Sequence, residues 1–441
     1  MNDNAIITEI TTLGEAKIPS PILQKENRQA SISLVSDDHR ILVDVNAAQL
    51  TESVRDGQEP LCFELAGPRE KIFFDPSKLH CGLVTCGGLC PGLNDIIRSI
   101  VFELHYGYGV RNIYGIRYGL EGFIPKYGHD FTNLTPEFVS NIHKRGGSVL
   151  GSSRGPQDID EILDCLDRMN IGILFMIGGD GTLMAATRIA EAILERNLKI
   201  SVVGVPKTID NDIFLVSRSF GFDTAVDVAT QAIMGAHNEA EGYPNGIGLI
   251  KLMGRHSGFI AATAVLAQQD VNFVLIPEID FDLEGPKGLM SAIEARLADR
   301  GHSVIVAAEG AGQKFFRENN TERDASGNIK LKDIGLFLKD SILSYFETKG
   351  VNISLKYIDP SYMIRSLPAN ANDRVFCNFL GRNAVHGGMS GKTNFLIGHW
   401  NNHFVYLPMK TVAGKRKNID RNGMLWRSAL EATGQGSLKN N

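Results

Sequence analysis

Apolar strands that alternate with helices constrain this chain more than any other feature of its sequence. Residues 171–179 (IGILFMIGG) are almost entirely apolar, and residues 81–86 (CGLVTC) and 200–206 (ISVVGVP) repeat the pattern. A strand that is covered by helices on both faces is apolar throughout, whereas a half-exposed strand alternates apolar and polar side chains. Each strand is followed by a turn of polar or small residues and then by a helical segment, as at 182–195. The pattern predicts an α/β fold with mainly parallel, doubly wound sheets.

The same alternation restarts in the second half of the chain. Residues 246–254 (GIGLIKLMG) predict a strand and 257–268 a helix, and further strands are expected at 272–277 and 302–310. We therefore expect two doubly wound, Rossmann-like lobes and an N-terminal extension, in a chain that can cross back between the lobes. The predicted boundaries are 1–78 for the extension, 79–240 for the first lobe, 241–410 for the second lobe and 411–441 for a C-terminal segment.

Three further segments complete the predicted organisation. Short alternating stretches at 31–35 (SISLV) and 41–45 (ILVDV) predict strands of the extension that pack on the main body. The apolar stripe of residues 92–105 has helical spacing, and residues 112–116 (NIYGI) follow as a strand. The polar residues 313–333 predict a surface hairpin or loop.

Charge and composition exclude several classes of protein. The 441 residues carry 45 basic and 50 acidic side chains, a formal net charge of -5 without a basic tract, so we expect no nucleic-acid binding. No segment approaches the ~20 apolar residues of a membrane span, and the N-terminus does not resemble a secretory signal. Six cysteines without framework spacing are typical of reduced thiols. We expect a cytoplasmic protein with no membrane partner.

Three motifs lie where predicted strands end, which is where ligands bind to parallel sheets. Residues 86–94 (CGGLCPGLN) follow the first strand, and their glycines would let the backbone approach a phosphate; the alternative is a tight structural turn. Residues 178–182 (GGDGT) can cradle polyphosphate oxygens, with Asp180 as a carboxylate suited to Mg²⁺ or, alternatively, as a helix N-cap.

The third motif, residues 205–212 (VPKTIDND), gathers opposite charges within a few residues. Asp210 could accept a proton from an attacking hydroxyl, and Lys207 could stabilise charge on a transferring phosphoryl group. The alternative interpretation is a turn that is rich in Asp and Asn.

Together, these motifs resemble those of the phosphofructokinases. GGLCPGLN, GGDGT and PKTIDND are followed in the family's order by MGR (253–255), AEG (308–310) and YIDPSYMIR (357–365). The resemblance extends from about residue 79 to about residue 430. It is strongest to the long ATP-dependent 6-phosphofructokinases of trypanosomatids and plants.

The resemblance implies a role for each matching residue. Asp210 would be the general base for the sugar 1-hydroxyl, while Arg154 and Lys207 would stabilise charge in the transition state. The expected ATP-binding residues are Gly87, Arg154, Gly155, Gly179, Asp180, Gly181 and Thr182, with Asp180 also on Mg²⁺. The expected fructose 6-phosphate-binding residues are Thr208, Ile209, Asp210, Met253, Gly254, Arg255, Glu309, Tyr362, Met363, Ile364 and Arg365.

The identity of the phosphoryl donor depends on two positions. Pyrophosphate-dependent relatives typically carry Asp where this chain has Gly181, and a carboxylate there would repel and crowd an α-phosphate. Lys207 points the other way, because short bacterial ATP-dependent enzymes usually have Gly at that position. The steric argument at Gly181 is the more direct and favours ATP.

Gly246 also departs from the short enzymes, in which an Arg at this place reaches the sugar phosphate across a subunit boundary.

We therefore expect an ATP-dependent 6-phosphofructokinase of glycolysis that converts fructose 6-phosphate and MgATP into fructose 1,6-bisphosphate and ADP. The resemblance also implies a homotetramer with possible allosteric control. The alternatives are a pyrophosphate-dependent phosphofructokinase, an NAD or diacylglycerol kinase that shares only GGDGT, and a non-catalytic subunit that binds nucleotide or sugar phosphate.

Overall fold

The computed structural model describes residues 6–22, 33–316, 322–323 and 329–441. The strands, in chain order, are β1 (Thr11–Thr12), β2 (Ile18–Pro19), β3 (Arg40–Leu42), β4 (Cys62–Leu65), β5 (Lys71–Ile72), β6 (His80–Thr85), β7 (Asn112–Ile116), β8 (Thr132–Asn133), β9 (Ile171–Gly178), β10 (Ser201–Pro206), β11 (Gly246–Leu252), β12 (Phe273–Leu275), β13 (His302–Ala308), β14 (Ser354–Ile358), β15 (Lys392–Thr393), β16 (Phe395–Trp400) and β17 (His403–Pro408). The helices are α1 (Ala47–Arg55), α2 (Leu93–Phe102), α3 (Pro136–Val139), α4 (Ile159–Arg168), α5 (Asp180–Glu195), α6 (Phe222–Glu241), α7 (Phe259–Gln268), α8 (Leu289–Arg300), α9 (Ile334–Thr348), α10 (Ala371–Met389), α11 (Met409–Val412) and α12 (Met424–Thr433).

The chain forms two compact units, and neither is a continuous stretch of sequence. The first unit comprises residues 1–208, 213–221 and 367–416. The second unit comprises residues 209–212, 222–366 and 417–441. These units do not follow the predicted boundaries at 240/241 and 410/411. The physical reason is that residues 367–416 carry β15, β16 and β17, whose strand partners all belong to the first unit.

The first unit is built on a nine-stranded sheet with the strand order β3-β4-β17-β16-β10-β9-β6-β7-β8. The five strands from β16 to β7 are parallel, and the flanking strands are antiparallel. Helices cover both faces of this sheet. Successive residues of a strand point to opposite sides, so both sets of side chains are buried. Leu174 and Met176 of β9 pack with Leu183 of α5, whereas Ile173 lies beside Gly388 of α10. This arrangement explains why β9 and β10 are apolar throughout.

The second unit contains a four-stranded, fully parallel sheet with the order β12-β13-β11-β14. Side chains of α8 and α9 pack against β11, β12 and β13 to form its buried core. Helix α6 packs closely on β11, where a Cβ atom at Gly248 would lie 2.8 Å from the carbonyl oxygen of Ala236. The mixed α/β fold with mainly parallel sheets is therefore confirmed. Among the described residues, no helix is long and apolar enough to cross a membrane.

The N-terminal extension belongs to the first unit, where β3 and β4 lengthen the nine-stranded sheet beyond β17. Of the predicted strand at 41–45, only residues 41–42 belong to a strand, β3. Residues 33–35 of the other predicted strand are not in a strand, and residues 31–32 lie outside the described part of the chain. Of the polar segment 313–333, the structure describes an antiparallel bridge between Arg323 and Ile329, which is compatible with the predicted hairpin. The residues between them lie outside the description.

Candidate active site

The loop that follows β6 turns at Gly87, whose backbone is left-handed with a φ angle of +81°. A residue with a side chain is strained in this region, so glycine is required for the turn. The Gly87 carbonyl accepts a 2.6 Å hydrogen bond from the Ser152 hydroxyl, and its N–H donates to the Ser153 carbonyl at 3.2 Å. The loop is thereby joined to the segment that carries Arg154, which is exposed, and Gly155, which also has positive φ.

The GGDGT motif forms the start of α5, directly after β9 ends at Gly178. Gly179 is the N-cap residue and has no side chain to satisfy the first N–H groups of the helix. Such an N-terminus carries a partial positive charge and free donors, which suit an anion such as a phosphate. The alternative that Asp180 caps the helix is wrong, because Asp180 lies inside it and its carboxylate accepts the N–H of Gly414 at 2.7 Å.

The geometry at Gly181 bears on the donor question. Nothing lies within 4 Å of a Cβ atom built on Gly181, so the position faces open space, and Thr182 beyond it is buried. A single carboxylate, such as that of Asp180, beside backbone N–H groups is the usual protein contribution to a magnesium–phosphate site, because Mg²⁺ takes most of its ligands from phosphate and water. The residues present therefore fit Mg²⁺ with a nucleotide.

Lys207 is buried in the first unit, and its ammonium group donates a 2.7 Å hydrogen bond to the carbonyl of Gly88. Its backbone N–H donates to the carbonyl of Gly178 at 2.9 Å. Lys207 therefore brings the first and second glycine motifs together. Thr208, the last residue before the chain enters the second unit, accepts a hydrogen bond at its carbonyl from the Ser219 hydroxyl.

The turn 209–212 belongs to the second unit and is fixed at both ends. The carbonyl of Asp210 accepts a 3.2 Å hydrogen bond from the Ser257 hydroxyl, and the carbonyl of Asp212 accepts the N–H of Lys417 at 2.8 Å. Asn211 between them has a φ of +53°, a conformation that Asn tolerates better than most residues. The backbone of the turn is thus set by contacts within this unit, and Ile209 is buried.

Glu309 lies among the cationic residues that the sequence assigns to the sugar phosphate. Burial raises the pKa of Glu309, and the positive charges of Arg255, Lys251 and Arg365 oppose the shift. The loop of Arg255 also touches the loop of Glu309, since the N–H of Gly310 donates to the Gly254 carbonyl at 3.1 Å. Arg255 and Arg365 therefore share the carboxylate of Glu309 as a neighbour.

The segment 362–365 presents two different faces. Tyr362 and Met363 are 73% and 66% exposed, while Ile364 is fully buried. The guanidinium of Arg365 lies 4.9 Å from the centre of the Tyr362 ring. The Ile364 side chain cannot reach a ligand in solvent, so any contact from that position would come from its backbone, whereas Tyr362 is accessible.

A sequence profile of the family described as Phosphofructokinase matches residues 80–387, which is more than half of the chain. The chain belongs to the phosphofructokinase family. It is 50% identical to an ATP-dependent 6-phosphofructokinase of Borreliella burgdorferi over 98% of each chain. It is 48% identical to ATP-dependent 6-phosphofructokinase 7 of Arabidopsis thaliana, over 87% of this chain and 79% of that protein. The predicted resemblance to the family and to its plant members is confirmed.

Solved structures of the family share the fold at low sequence identity. The crystal structure of the pyrophosphate-dependent phosphofructokinase from Marinobacter aquaeolei superposes with a TM-score of 0.66. It is 19% identical to this chain and covers 81% of it and 92% of its own length. Likeness at this identity establishes the phosphofructokinase fold and carries no information on the donor.

Sequence reasoning missed one residue of this phosphofructokinase, Lys251. Its side chain supports the loop that carries Arg365. Its ammonium group lies 2.7 Å from the carboxylate of Asp333 and 2.8 Å from that of Asp359. Burial lowers the pKa of Lys251, but its hydrogen bonds to the two carboxylates outweigh burial and raise it. The only sequence sign was Lys251 itself, a charged residue within the otherwise apolar strand β11.

Lys417 was also missed, because it lies in a basic segment beyond the motifs. Burial lowers the pKa of Lys417 to about 8, and the negative charge of Asp212 opposes the shift. The ammonium group lies 4.9 Å from the centre of the Phe259 ring. The backbone N–H of Lys417 therefore supports the turn that carries Asp210, and the side chain of Lys417 places a positive charge near that turn.

Proposed function

We propose that the chain is an ATP-dependent 6-phosphofructokinase that transfers the γ-phosphoryl group of MgATP to the 1-hydroxyl of fructose 6-phosphate. The observation that carries the proposal is the open space at Gly181, beside Asp180 on the uncapped N-terminus of α5. Such a site accepts a phosphate chain that continues into a nucleotide. The names of the relatives at 48–50% identity support the same reaction.

The mechanism assigns the first unit's glycine loops to the donor. Backbone N–H groups at 179–181 would bind the phosphates, and the side chains of Arg154 and Lys207 would offset charge on the transferring group. Mg²⁺ held by Asp180 would neutralise phosphate charge when bound. In the second unit, Arg255 and Arg365 would bind the 6-phosphate, because guanidinium groups match phosphate geometry.

The chemical step requires a base for the sugar hydroxyl. Asp210 would accept the proton of the 1-hydroxyl while its oxygen forms a bond to the γ-phosphorus and the bond from that phosphorus to the β,γ-bridging oxygen breaks. The leaving oxygen departs with ADP. The hydrogen-bonded carbonyls of Asp210 and Asp212 would hold the backbone of the turn from which this carboxylate projects.

A direct assay tests the reaction. The purified chain is incubated with fructose 6-phosphate and either MgATP or Mg²⁺-pyrophosphate, and fructose 1,6-bisphosphate is measured. We expect product with MgATP, and no product from either donor would reject the proposal. Asp210→Ser should lower kcat by at least ~100-fold, because general-base catalysis contributes about 10²–10⁴-fold. Asp227→Asn, an exposed carboxylate of α6, is the matched control and should keep full turnover.

Pyrophosphate-dependent transfer is the second candidate, and Lys207 is the observation that favours it. Its ammonium group lies at the Gly88 carbonyl, inside the first glycine loop, where it could neutralise a short diphosphate. Product from pyrophosphate alone would establish this alternative. The unhindered position of Gly181 supports ATP instead.

We also propose that the enzyme is a homotetramer, as the family resemblance implies. Multi-angle light scattering of the purified chain, with a subunit mass of 48.2 kDa, tests the assembly. A particle of one or two subunits at assay concentration would contradict it.

A further inference from the structure

Two histidines and a glutamate converge at one edge of the second unit, apart from the motifs described above. His237 and Glu241 are one turn apart at the end of α6, and His302 is the first residue of β13. Among the described residues, these three form the one group of His, Cys, Asp and Glu side chains whose possible ligand atoms all lie within 4.8 Å of one another. The side chain of His237 is 20% exposed, and that of Glu241 is 55% exposed, so the group is reachable from solvent.

The surroundings orient both imidazoles. The Nδ1 atom of His302 lies 3.3 Å from the carbonyl oxygen of Arg300, which can only accept, so Nδ1 carries the proton and Nε2 keeps a lone pair. The Nδ1 atom of His237 faces a carboxylate oxygen of Asp270 at 3.7 Å. That oxygen is itself held by the side-chain amide of Gln268 at 2.7 Å. A carbonyl or carboxylate partner on the far nitrogen is typical of metal-binding histidines, and His302 has one within hydrogen-bond distance, whereas His237 has the Asp270 carboxylate nearby.

The other nitrogen of His237 points at the third member of the group. Its Nε2 atom lies 3.5 Å from a carboxylate oxygen of Glu241. In a tetrahedral zinc site, bonds of about 2.0–2.1 Å place neighbouring ligand atoms roughly 3.3 Å apart. Movements of about an ångström by these partly exposed side chains would therefore complete the arrangement. The end of a helix also favours a cation, because its carbonyl groups carry partial negative charge.

We propose that His237, Glu241 and His302 bind a divalent transition-metal ion of the Zn²⁺ class, with water as the fourth ligand. Two imidazoles and one carboxylate are a donor set for Zn²⁺, whereas Mg²⁺ prefers oxygen ligands alone. The ion would fasten the last turn of α6 to the beginning of β13, two elements that already pack against each other. The site is separate from the residues assigned to phosphoryl transfer, so it stands or falls independently of the proposed function.

Metal titration of the full-length protein tests the site. After removal of metals with a chelator, Co²⁺ is added in the presence of excess Mg²⁺, and the visible d–d absorption is recorded together with binding of Zn²⁺ by calorimetry. We expect one ion per chain. His302→Gln should weaken binding by at least ~100-fold, and Asp270→Asn by about 10–100-fold, as for other residues that orient a ligand. Zn²⁺ should raise the thermal unfolding midpoint of the unchanged protein and not that of His302→Gln.

Two controls keep the result interpretable. His39→Gln, at an exposed histidine of the first unit, should bind Co²⁺ like the unchanged protein. Glu241→Gln lies at an exposed helix end, where substitution leaves the fold intact, and should weaken binding even if His302→Gln fails to fold. Saturable binding that is unaffected in Glu241→Gln, and in His302→Gln if that variant folds, would overturn the proposal, as would the absence of stoichiometric binding to the unchanged protein.

Discussion

Gly181 is the residue whose substitution tests donor choice with the least disturbance of the fold. A new side chain would enter open space, and Asp in the first turn of a helix interacts favourably with the helix dipole. We expect Gly181→Asp to keep its unfolding midpoint but to lower kcat/KM for ATP by at least ~tenfold. The reason is that like charges about 4 Å apart repel by about 1–4 kcal/mol. Steady-state kinetics with ATP and with pyrophosphate measure the change.

Two further variants separate charge from size at this position. Gly181→Ala adds a methyl group without charge and should keep most of the ATP activity. Gly235→Asp places a carboxylate at another helical glycine with nothing within 4 Å and should behave like the unchanged protein. Unchanged ATP kinetics in Gly181→Asp would contradict the assignment of this position to the donor.

Asp95 makes stability depend on pH in a predictable direction. Burial raises the pKa of Asp95 to about 6, although the positive charges of Arg374 and Arg98 oppose the shift. The native state then holds this proton more tightly than the unfolded state, so its contribution to stability is full below about pH 4 and is lost as the pH rises to about 6. Asp95→Asn should therefore increase the free energy of unfolding by about 1–2 kcal/mol at pH 7.5.

Urea unfolding of both proteins at pH 4.5 and pH 7.5 checks the prediction for Asp95. The gain in Asp95→Asn should be smaller at the lower pH, where the carboxyl group of the unchanged protein is largely protonated. An equal gain at both pH values, or a loss at pH 7.5, would show that the charge of Asp95 is not the destabilising factor.

At the scale of elements, periodicity located most buried strands and helices, because apolar strands and striped helices are set by local sequence. The predicted strand at 112–116 is β7 without any change, and that at 171–179 is one residue shorter in the structure. The helix at 92–105 is different: α2 ends at Phe102, and a π-helical segment follows from Glu103 to Tyr108. Glu103 is buried there in an ion pair with Arg382 of α10, a contact 279 residues away that no local pattern reveals.

The edge of the nine-stranded sheet depends on a buried ion cluster that sequence analysis did not anticipate. Glu64 of β4 lies 2.7 Å from the guanidinium of Arg69 and 2.6 Å from the ammonium of Lys392, and all three side chains are 6% exposed. Removing one member leaves uncompensated charge away from water, which costs about 3–5 kcal/mol. We expect Glu64→Ala to lower the stability of the first unit by about this amount in urea unfolding.

The matched control for Glu64 is another glutamate of the extension. Glu15 pairs with Lys17 at 3.2 Å, but both side chains are about three-quarters exposed, so Glu15→Ala should change stability by less than about 1 kcal/mol. If Glu64→Ala is as mild as Glu15→Ala, the buried cluster does not secure β4. Glycine turns and charged motifs are local, so the sequence could propose site residues, whereas Lys251 and Lys417 act through partners that are distant in the chain and leave no local pattern.

At the scale of the whole molecule, local patterns cannot show which strands become neighbours. The alternation of strands and helices indicated two α/β lobes in a chain that can cross back between them, but it could not say where the crossings lie. The chain passes between the two compact units after residues 208, 212, 221, 366 and 416. Strand order arises from the packing of whole elements, and β16, almost two hundred residues after β10 in the chain, lies directly beside it.

This connectivity predicts that the N-terminal half cannot fold alone. A fragment of residues 1–240 would lack β16 and β17, leaving β10 with an unpaired edge, and it would lack α10, which packs on α2 and β10. Unpaired strand edges and uncovered apolar faces promote aggregation. We expect this fragment to be insoluble or to lack a cooperative unfolding transition, while the full chain shows one by circular dichroism and calorimetry. Adding residues 367–416 through a flexible linker should restore solubility, and a soluble, cooperatively unfolding 1–240 fragment would contradict the argument.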